Sequence, residues 1–365
     1  MSEGWEPGAF KARVDEVLHR FAAGEAGQLT AVDASLGPVA EAVETAVADG
    51  KRLRAAFCYW GWRAAGQPDS DALVRAAASM ELVHAAAVVH DDLIDDSPLR
   101  HGRPTAHLAL RKAVRDHPEP ALAARSLAML AGDLLMSMAG QLFVTSGLPA
   151  AYLGRARPLW ARLARELVAG ECLEILHTGA AAPDTATSLK VVRYKTAKYT
   201  VEQPLLIGAL LGGAGEPLRA GCSAYGLPLG EAFQLRDDLL GLFGDPALTG
   251  KDGSDDVRGH RPTALLAETW RLAGEEDRDR LRTLLAAGTE TRTADTADTA
   301  DTTDAAGTAG DVREVMRRLK APDRIESMIT ARVEEALRAL DELDLPGPAA
   351  TALTALAHSA AVRRS

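Results

Sequence analysis

Two groups of aspartates carry the spacing that hard-metal chemistry needs. His90-Asp91-Asp92-Leu93-Ile94-Asp95-Asp96 closes a long apolar stretch, Ala76 to Val89. On a helix, Asp91 and Asp95 lie one turn apart and face the same way, as do Asp92 and Asp96. Carboxylates that close repel, which costs stability unless a cation or water compensates. Phe233-Gln234-Leu235-Arg236-Asp237-Asp238-Leu239-Leu240 again sets paired aspartates in an apolar helix, with Asp245 two turns beyond Asp237. Mg2+ takes oxygen ligands and usually keeps several waters, so one or two carboxylates per ion suffice. Either group alone reads equally well as a solvated acidic helix end. Together they could hold several Mg2+ and clamp a diphosphate, neutralising a leaving group without a proton donor.

Basic residues supply the counterpart. In Gly50-Lys51-Arg52-Leu53-Arg54, Lys51 and Arg54 are three apart. Read as the first turn of a helix, both reach one anion, and the partial positive charge of the helix N-terminus helps hold it. His84 lies two turns before Asp91 and nearly on its face. Taken singly, such residues are ordinary surface cations and a structural histidine.

These groups need helices to position them, and the composition provides helices. Ala, Leu, Arg and Glu dominate the 365 residues, aromatics are only 4%, and little reads as alternating strand. Helical stretches are punctuated by Gly50, Gly66-Gln67-Pro68, Gly147-Leu148-Pro149 and Gly212-Gly213, so the fold class is all-α. With 47% hydrophobic and 25% charged residues the chain can build a sizeable core. Forty-one Lys and Arg against 51 Asp and Glu leave a net charge of −10, and no basic block stands ready for nucleic acid. Cys58, Cys172 and Cys222 lack disulfide or metal-ligand spacing and read as small core residues. The start, with Glu3, Glu6 and Pro7, does not look like a signal peptide, and no uncharged run reaches the roughly 18 residues of a membrane span. A cytoplasmic location is the expectation. One segment differs: 288–310, with Thr293-Ala294-Asp295 repeated twice more, has little to bury and reads as a flexible insertion.

From about Gly50 to Thr263 the chain resembles the trans-isoprenyl diphosphate synthases of the polyprenyl synthetase family. Asp91-Asp92-Leu93-Ile94-Asp95 matches the family's first aspartate-rich motif, followed by Leu99-Arg100-His101-Gly102-Arg103-Pro104-Thr105. Gly50-Lys51-Arg52-Leu53-Arg54, Tyr194-Lys195-Thr196-Ala197 and Phe233-Gln234-Leu235-Arg236-Asp237-Asp238 match three further motifs in order. The resemblance implies a single all-α domain over 1–365, with helices bundled around a central cavity, acting as a homodimer. It implies that Asp91, Asp92, Asp95, Asp237, Asp238 and Asp245 bind several Mg2+. Lys51, Arg54, His84 and His101 would take isopentenyl diphosphate. Arg100, Lys195, Thr196, Gln234 and Lys251 would take an allylic diphosphate. Asp91, Asp95, Asp237 and Lys195 would be catalytic. Ionisation of the allylic diphosphate, attack by the isopentenyl double bond and loss of a proton then lengthen the prenyl chain.

Departures from the family pattern bear on affinity more than on reaction class. His101 replaces an arginine, Gly241 replaces a third aspartate, and His260 replaces a lysine. Glu171 and Glu174 stand where Gln and Asp are common. Asp237, Gly241 and Asp245 also resemble a loosened metal motif of class I terpene cyclases, which act on one prenyl diphosphate. A non-catalytic synthase subunit is the other alternative. For product length, Ala86 and Ala87 lie about one turn before Asp91, with Val83 below them. Members that stop early typically put an aromatic ring near here, so the expected product is longer than farnesyl, most like geranylgeranyl diphosphate.

Overall fold

The computed structural model describes residues 6–100, 102–244, 259–290 and 302–361. Its early helices are α1 (Pro7–Val32), α2 (Gly37–Val47), α3 (Leu53–Ala64) and α4 (Asp71–Ile94). A hairpin pairing Leu99–Arg100 with Arg103–Pro104 leads to α5 (Ala106–Ala113), α6 (Pro120–Val144), α7 (Ala150–His177) and α8 (Thr185–Val191). A π-helical segment (Val192–Glu202) precedes α9 (Gln203–Leu211) and α10 (Glu216–Phe243). Then come α11 (Ala264–Leu272), α12 (Glu275–Glu290), α13 (Thr302–Arg318), α14 (Ala321–Asp341) and α15 (Gly347–Ala361). The all-α expectation holds. Of the stretch 288–310, residues 288–290 end α12 and 302–310 open α13, while 291–301 lie outside the described residues.

The chain forms two compact units. One comprises Met1–Ala161, Gln203–Ala220 and Leu345–Leu353; the other comprises Arg162–Glu202, Gly221–Asp344 and Thr354–Ser365. In the first, α4 is the core helix. Ser70 caps its N-terminus by accepting the Leu73 N–H, and Asp71 complements the dipole of the first turn. Leu73, Ala76, Ala77, Met80, Leu82 and Ala86 are fully buried, and α6 packs along it. The packing is close because Gly132 of α6 carries no side chain: a Cβ there would sit 2.3 Å from the His90 ring nitrogen Nε2. Likewise α3 meets α9 backbone to backbone. A Cβ on Gly61 would lie 2.0 Å from the Leu205 carbonyl oxygen, and one on Gly208 would lie 1.8 Å from that of Cys58. Only glycine fits such contacts.

The second unit centres on an apolar cluster that joins α10, through Ala232, Leu235 and Leu239, to Leu265 and Trp270 of α11. Val312 and Met316 of α13 and Ile325 of α14 complete it. Helices α4 and α6 are long and apolar enough to cross a membrane, but 72% of the α4 window is buried inside the protein, as a core helix requires. Cys58 and Cys222 are buried, as expected, and burial pushes both thiols well up, that of Cys222 to about 12. Cys172 is exposed, which corrects the core reading: it lies on the outward side of α7.

Candidate active site

The first aspartate group sits where α4 ends. Between Met80 and Val89 only His84, Ala87 and Val88 are less than fully buried. At helical spacing that open strip runs on into Asp91 and Asp95, both half-buried. Asp95 keeps the helical turn, its N–H donating to the Asp91 carbonyl at 2.9 Å. Asp96 does not share a face with Asp92, contrary to the spacing argument. It turns left-handed (φ 54°), a conformation Asp tolerates. Its carboxylate accepts from Arg125 of α6 at 2.6 Å, and Arg125 also donates to the Leu93 carbonyl at 2.7 Å. A cation thus satisfies the helix C-terminus. Thr105 donates to the Ser97 carbonyl at 2.8 Å and closes the hairpin onto the same end.

Arg100 is brought to the aspartates by that hairpin. Its Nε donates to Asp92 Oδ1 at 3.0 Å, its Nη2 reaches the same oxygen, and Asp91 Oδ2 lies at 3.5 Å. The Asp92 side chain is only 5% exposed. Burial pushes its carboxyl above the ordinary value, with Arg100 opposing and Asp91 adding to the rise.

The basic motif is a turn, not the first turn of a helix. Gly50 (φ 138°) and Arg52 (φ 54°) both adopt left-sided backbone, so α3 begins at Leu53 and Lys51 stands before it. The buried Arg52 forces this geometry: its Nε donates to Asp15 at 2.7 Å and its Nη2 to the Val47 carbonyl at 2.6 Å. Glu81 of α4 accepts the Ala55 N–H at 2.9 Å. One N-terminal donor of α3 is therefore already taken by a buried carboxylate, and the helix end is a weaker anion site than the sequence suggests. Arg54 is buried, and His84, one turn after Glu81, is half-buried.

In the second unit the π-helical segment carries Lys195 and Thr196. Glycines of two helices press on it. A Cβ on Gly170 of α7 would sit 2.2 Å from the Lys195 nitrogen, and one on Gly230 of α10 would sit 2.6 Å from the Ala197 Cα. Widened turns of this kind recur at functional sites. Lys195 Nζ lies 2.9 Å from Glu171 Oε2 and 2.7 Å from Glu174 Oε1, both on α7. One turn on, Lys198 faces Glu202 at 3.0 Å and Glu166 at 3.3 Å. Burial works against the Lys198 ammonium, but Glu202 and Glu166 outweigh it and hold its pKa above the ordinary value.

The second aspartate group is tied to the same segment. Thr196 Oγ1 donates to Gln234 Oε1 at 2.7 Å, and Gln234 Nε2 donates to Asp238 Oδ1 at 2.7 Å. Between Pro228 and Leu239 only Gln234, Arg236 and Asp237 are less than buried. Gln234, Asp237 and Gly241 follow helical spacing, while Arg236 turns away and grips Glu326 through both nitrogens. His260 sits at φ 48° with its ring bonded to the Leu285 carbonyl. His101, Asp245 and Lys251 lie outside the described residues. The sequence reading missed Arg125 and Glu81, and it singled out Glu171 and Glu174 without their pairing to Lys195, because these partners are remote in the chain.

The polyprenyl synthetase family model matches residues 38–301. The (2E,6E)-farnesyl diphosphate synthase of Mycobacterium tuberculosis is 34% identical over 246 residues, which are 67% of this chain and 63% of that protein. The chain thus spans less than two thirds of that relative's length. Heptaprenyl diphosphate synthase component 2 of Geobacillus stearothermophilus is 30% identical over 337 residues, 92% of this chain and 90% of its own. A geranylgeranyl pyrophosphate synthase from Corynebacterium glutamicum, solved with isoprenyl diphosphate and magnesium, superimposes with a TM-score of 0.88 at 31% identity. That match covers 99% of this chain and 100% of the other. Motif order, helical architecture and a family match across most of the sequence agree, and the chain belongs to the polyprenyl synthetase family.

Proposed function

We propose that this chain is a prenyltransferase that joins isopentenyl diphosphate to an allylic diphosphate and releases a longer trans-prenyl diphosphate, chiefly geranylgeranyl diphosphate. One observation carries the reading. Along the core helix α4 the partly open strip carries His84, then Ala87, then Asp91 and Asp95 at helical spacing, which supports reading them as an anion-binding residue, a path for the growing chain and a metal-binding pair.

The donor set fits Mg2+: hard carboxylate oxygens one helical turn apart, with no thiolate among them. Asp91, Asp92, Asp95, Asp237, Asp238 and Asp245 would hold several ions. Bound there, Mg2+ supplies the charge neutralisation that lets the allylic carbon–oxygen bond break. Arg100, Lys195, Thr196, Gln234 and Lys251 orient the allylic diphosphate. Lys51, Arg54, His84 and His101 hold isopentenyl diphosphate so that its double bond meets the allylic cation. The departing diphosphate takes the proton, and the side chains act by fixed charge and exclusion of water. Ala87, half-buried and small, supports a product beyond farnesyl length. The same reading includes a homodimer, supported by the exposed Leu122, Met129, Leu130 and Val144 along α6.

The test is incubation with Mg2+ and labelled isopentenyl diphosphate, with and without an allylic primer. The expected result is primer-dependent incorporation into geranylgeranyl diphosphate. Hydrocarbon from primer alone would make the chain a cyclase, and no product from either mixture would make it a subunit without activity of its own.

A further inference from the structure

We propose that Asp15, on the first helix α1, is a positioning residue for isopentenyl diphosphate that acts through Arg52. The inference rests on the role given to Lys51 above. Asp15 lies ahead of the residues that the family model matches, which begin at 38. Its helix is a braced carrier within the first unit. Val14 and Leu18 are fully buried, and Arg13 grips Asp69 at 3.0 Å and Asp71 at 2.7 Å where α4 begins. The Asp15 carboxylate accepts from Arg52 Nε through Oδ1 at 2.7 Å and from Lys11 Nζ through Oδ2 at 2.6 Å. Burial opposes its charge, but the two cations outweigh burial and hold its pKa below the ordinary value.

The Arg52 guanidinium is folded back against the turn that carries it. Its side chain is only 3% exposed, its Nη2 ends on the Val47 carbonyl, and a Cβ on Gly50 would sit 3.0 Å from its Nη1. Arg52 is therefore an internal strut and not a ligand, whereas Lys51 beside it is exposed. Its φ of 54° is one that a residue with a Cβ adopts only when its surroundings impose it. Asp15 supplies that constraint. Without the carboxylate the buried guanidinium keeps one carbonyl and no counter-charge, and the turn relaxes. The fraction of molecules that present Lys51 in the binding geometry then falls, and the affinity falls by the same factor.

The experiment is calorimetric titration of the full chain with two ligands. Isopentenyl diphosphate is titrated in EDTA, so that the basic side chains are read without metal. Farnesyl thiodiphosphate, whose bridging sulfur resists ionisation, is titrated in Mg2+. Asp15→Ala should weaken isopentenyl diphosphate about tenfold and the allylic analogue less than about twofold, whereas a general loss of structure would weaken both. Arg52→Ala should weaken isopentenyl diphosphate by a similar factor, and the double variant should lose no more than either. Lys11→Met, which leaves the Arg52 contact in place, should bind both ligands as wild type does. Asp15→Asn keeps the shape and an acceptor for Arg52, should lose about threefold, and serves if the alanine variant folds poorly. Unchanged or tighter isopentenyl diphosphate binding in the Asp15 variants, with weaker binding in Lys51→Met, overturns the inference alone; so do equal losses for both ligands. Undiminished binding in Lys51→Met removes that lysine from the site, and the reading beneath the inference falls with it.

Discussion

The aspartate group at the end of α4 and the one within α10 look alike in sequence but are anchored by different physics. Asp92 is held by the Arg100 guanidinium, and the turn beyond it is fastened by a second guanidinium, Arg125, on the Leu93 carbonyl and Asp96. Asp238 is instead held by the Gln234 amide, itself oriented by the Thr196 hydroxyl. A guanidinium orients a buried carboxylate and balances its charge, whereas an amide orients it and adds no charge. The first group is therefore built into the stability of its unit. The chain of hydrogen bonds from Thr196 through Gln234 aims the second, and changes there should be felt in chemistry as well as in folding.

The largest effects test whether both groups serve one leaving group. Asp91→Ala and Asp237→Ala should each lower turnover by about a thousandfold or more while circular dichroism shows unchanged helicity. Near-normal turnover in either folded variant would end the comparison by removing that aspartate from the mechanism. The same pair should differ from wild type in ligand stabilisation. Mg2+ with pyrophosphate at a hundred times its dissociation constant stabilises a binding protein by about 2.7 kcal/mol. That rise in melting temperature should appear in wild type, disappear with chelator and shrink in both variants. A rise that survives in both would place the metal elsewhere.

The difference in anchoring predicts a difference in stability. Arg100→Met strands the buried Asp92 carboxylate and should cost about 3 kcal/mol in urea unfolding. Gln234→Leu removes the amide hydrogen bond to the buried Asp238 carboxylate and should cost less, about 1.5–2 kcal/mol. Equal losses would mean that the two groups are anchored alike. Either result is independent of the assay for product.

Much of this was readable in the residues, and the limits have identifiable causes. The all-α class followed from helix formers and breakers, and the aspartate spacing placed Asp91 and Asp95 on one face because α4 remains helical through both. The left-handed turns at Arg52 and Asp96 were not readable. Neither is glycine, and each is imposed by partners far along the chain, Asp15 for Arg52 and Arg125 for Asp96. The π-helical segment was hidden for a related reason, since its shape follows from the glycines of α7 and α10 that press on it. The line of His84, Ala87, Asp91 and Asp95 along α4 was readable from helical spacing, but its partial exposure was not, because α4 is too apolar to show a clear polar stripe.

That strip leads to the smallest effect, one of product length and not of rate. Four residues before Asp91, α4 carries Ala87; four before Asp237, α10 carries Phe233, already aromatic and buried. On the function proposed above, a growing prenyl chain would run beside Ala87 of α4 and not beside Phe233 of α10. Ala87→Phe should block that path and shift dephosphorylated products toward farnesol on chromatography. Because Ala87 is half-buried, the ring has somewhere to go and the loss of stability should stay below about 1 kcal/mol. Ala86 is fully buried in the core beside it. Ala86→Phe should cost about 1–3 kcal/mol by overpacking, with less effect on product length. An unchanged length distribution in Ala87→Phe, or a shift confined to Ala86→Phe, would move the growing chain off the strip shared by His84 and Asp91.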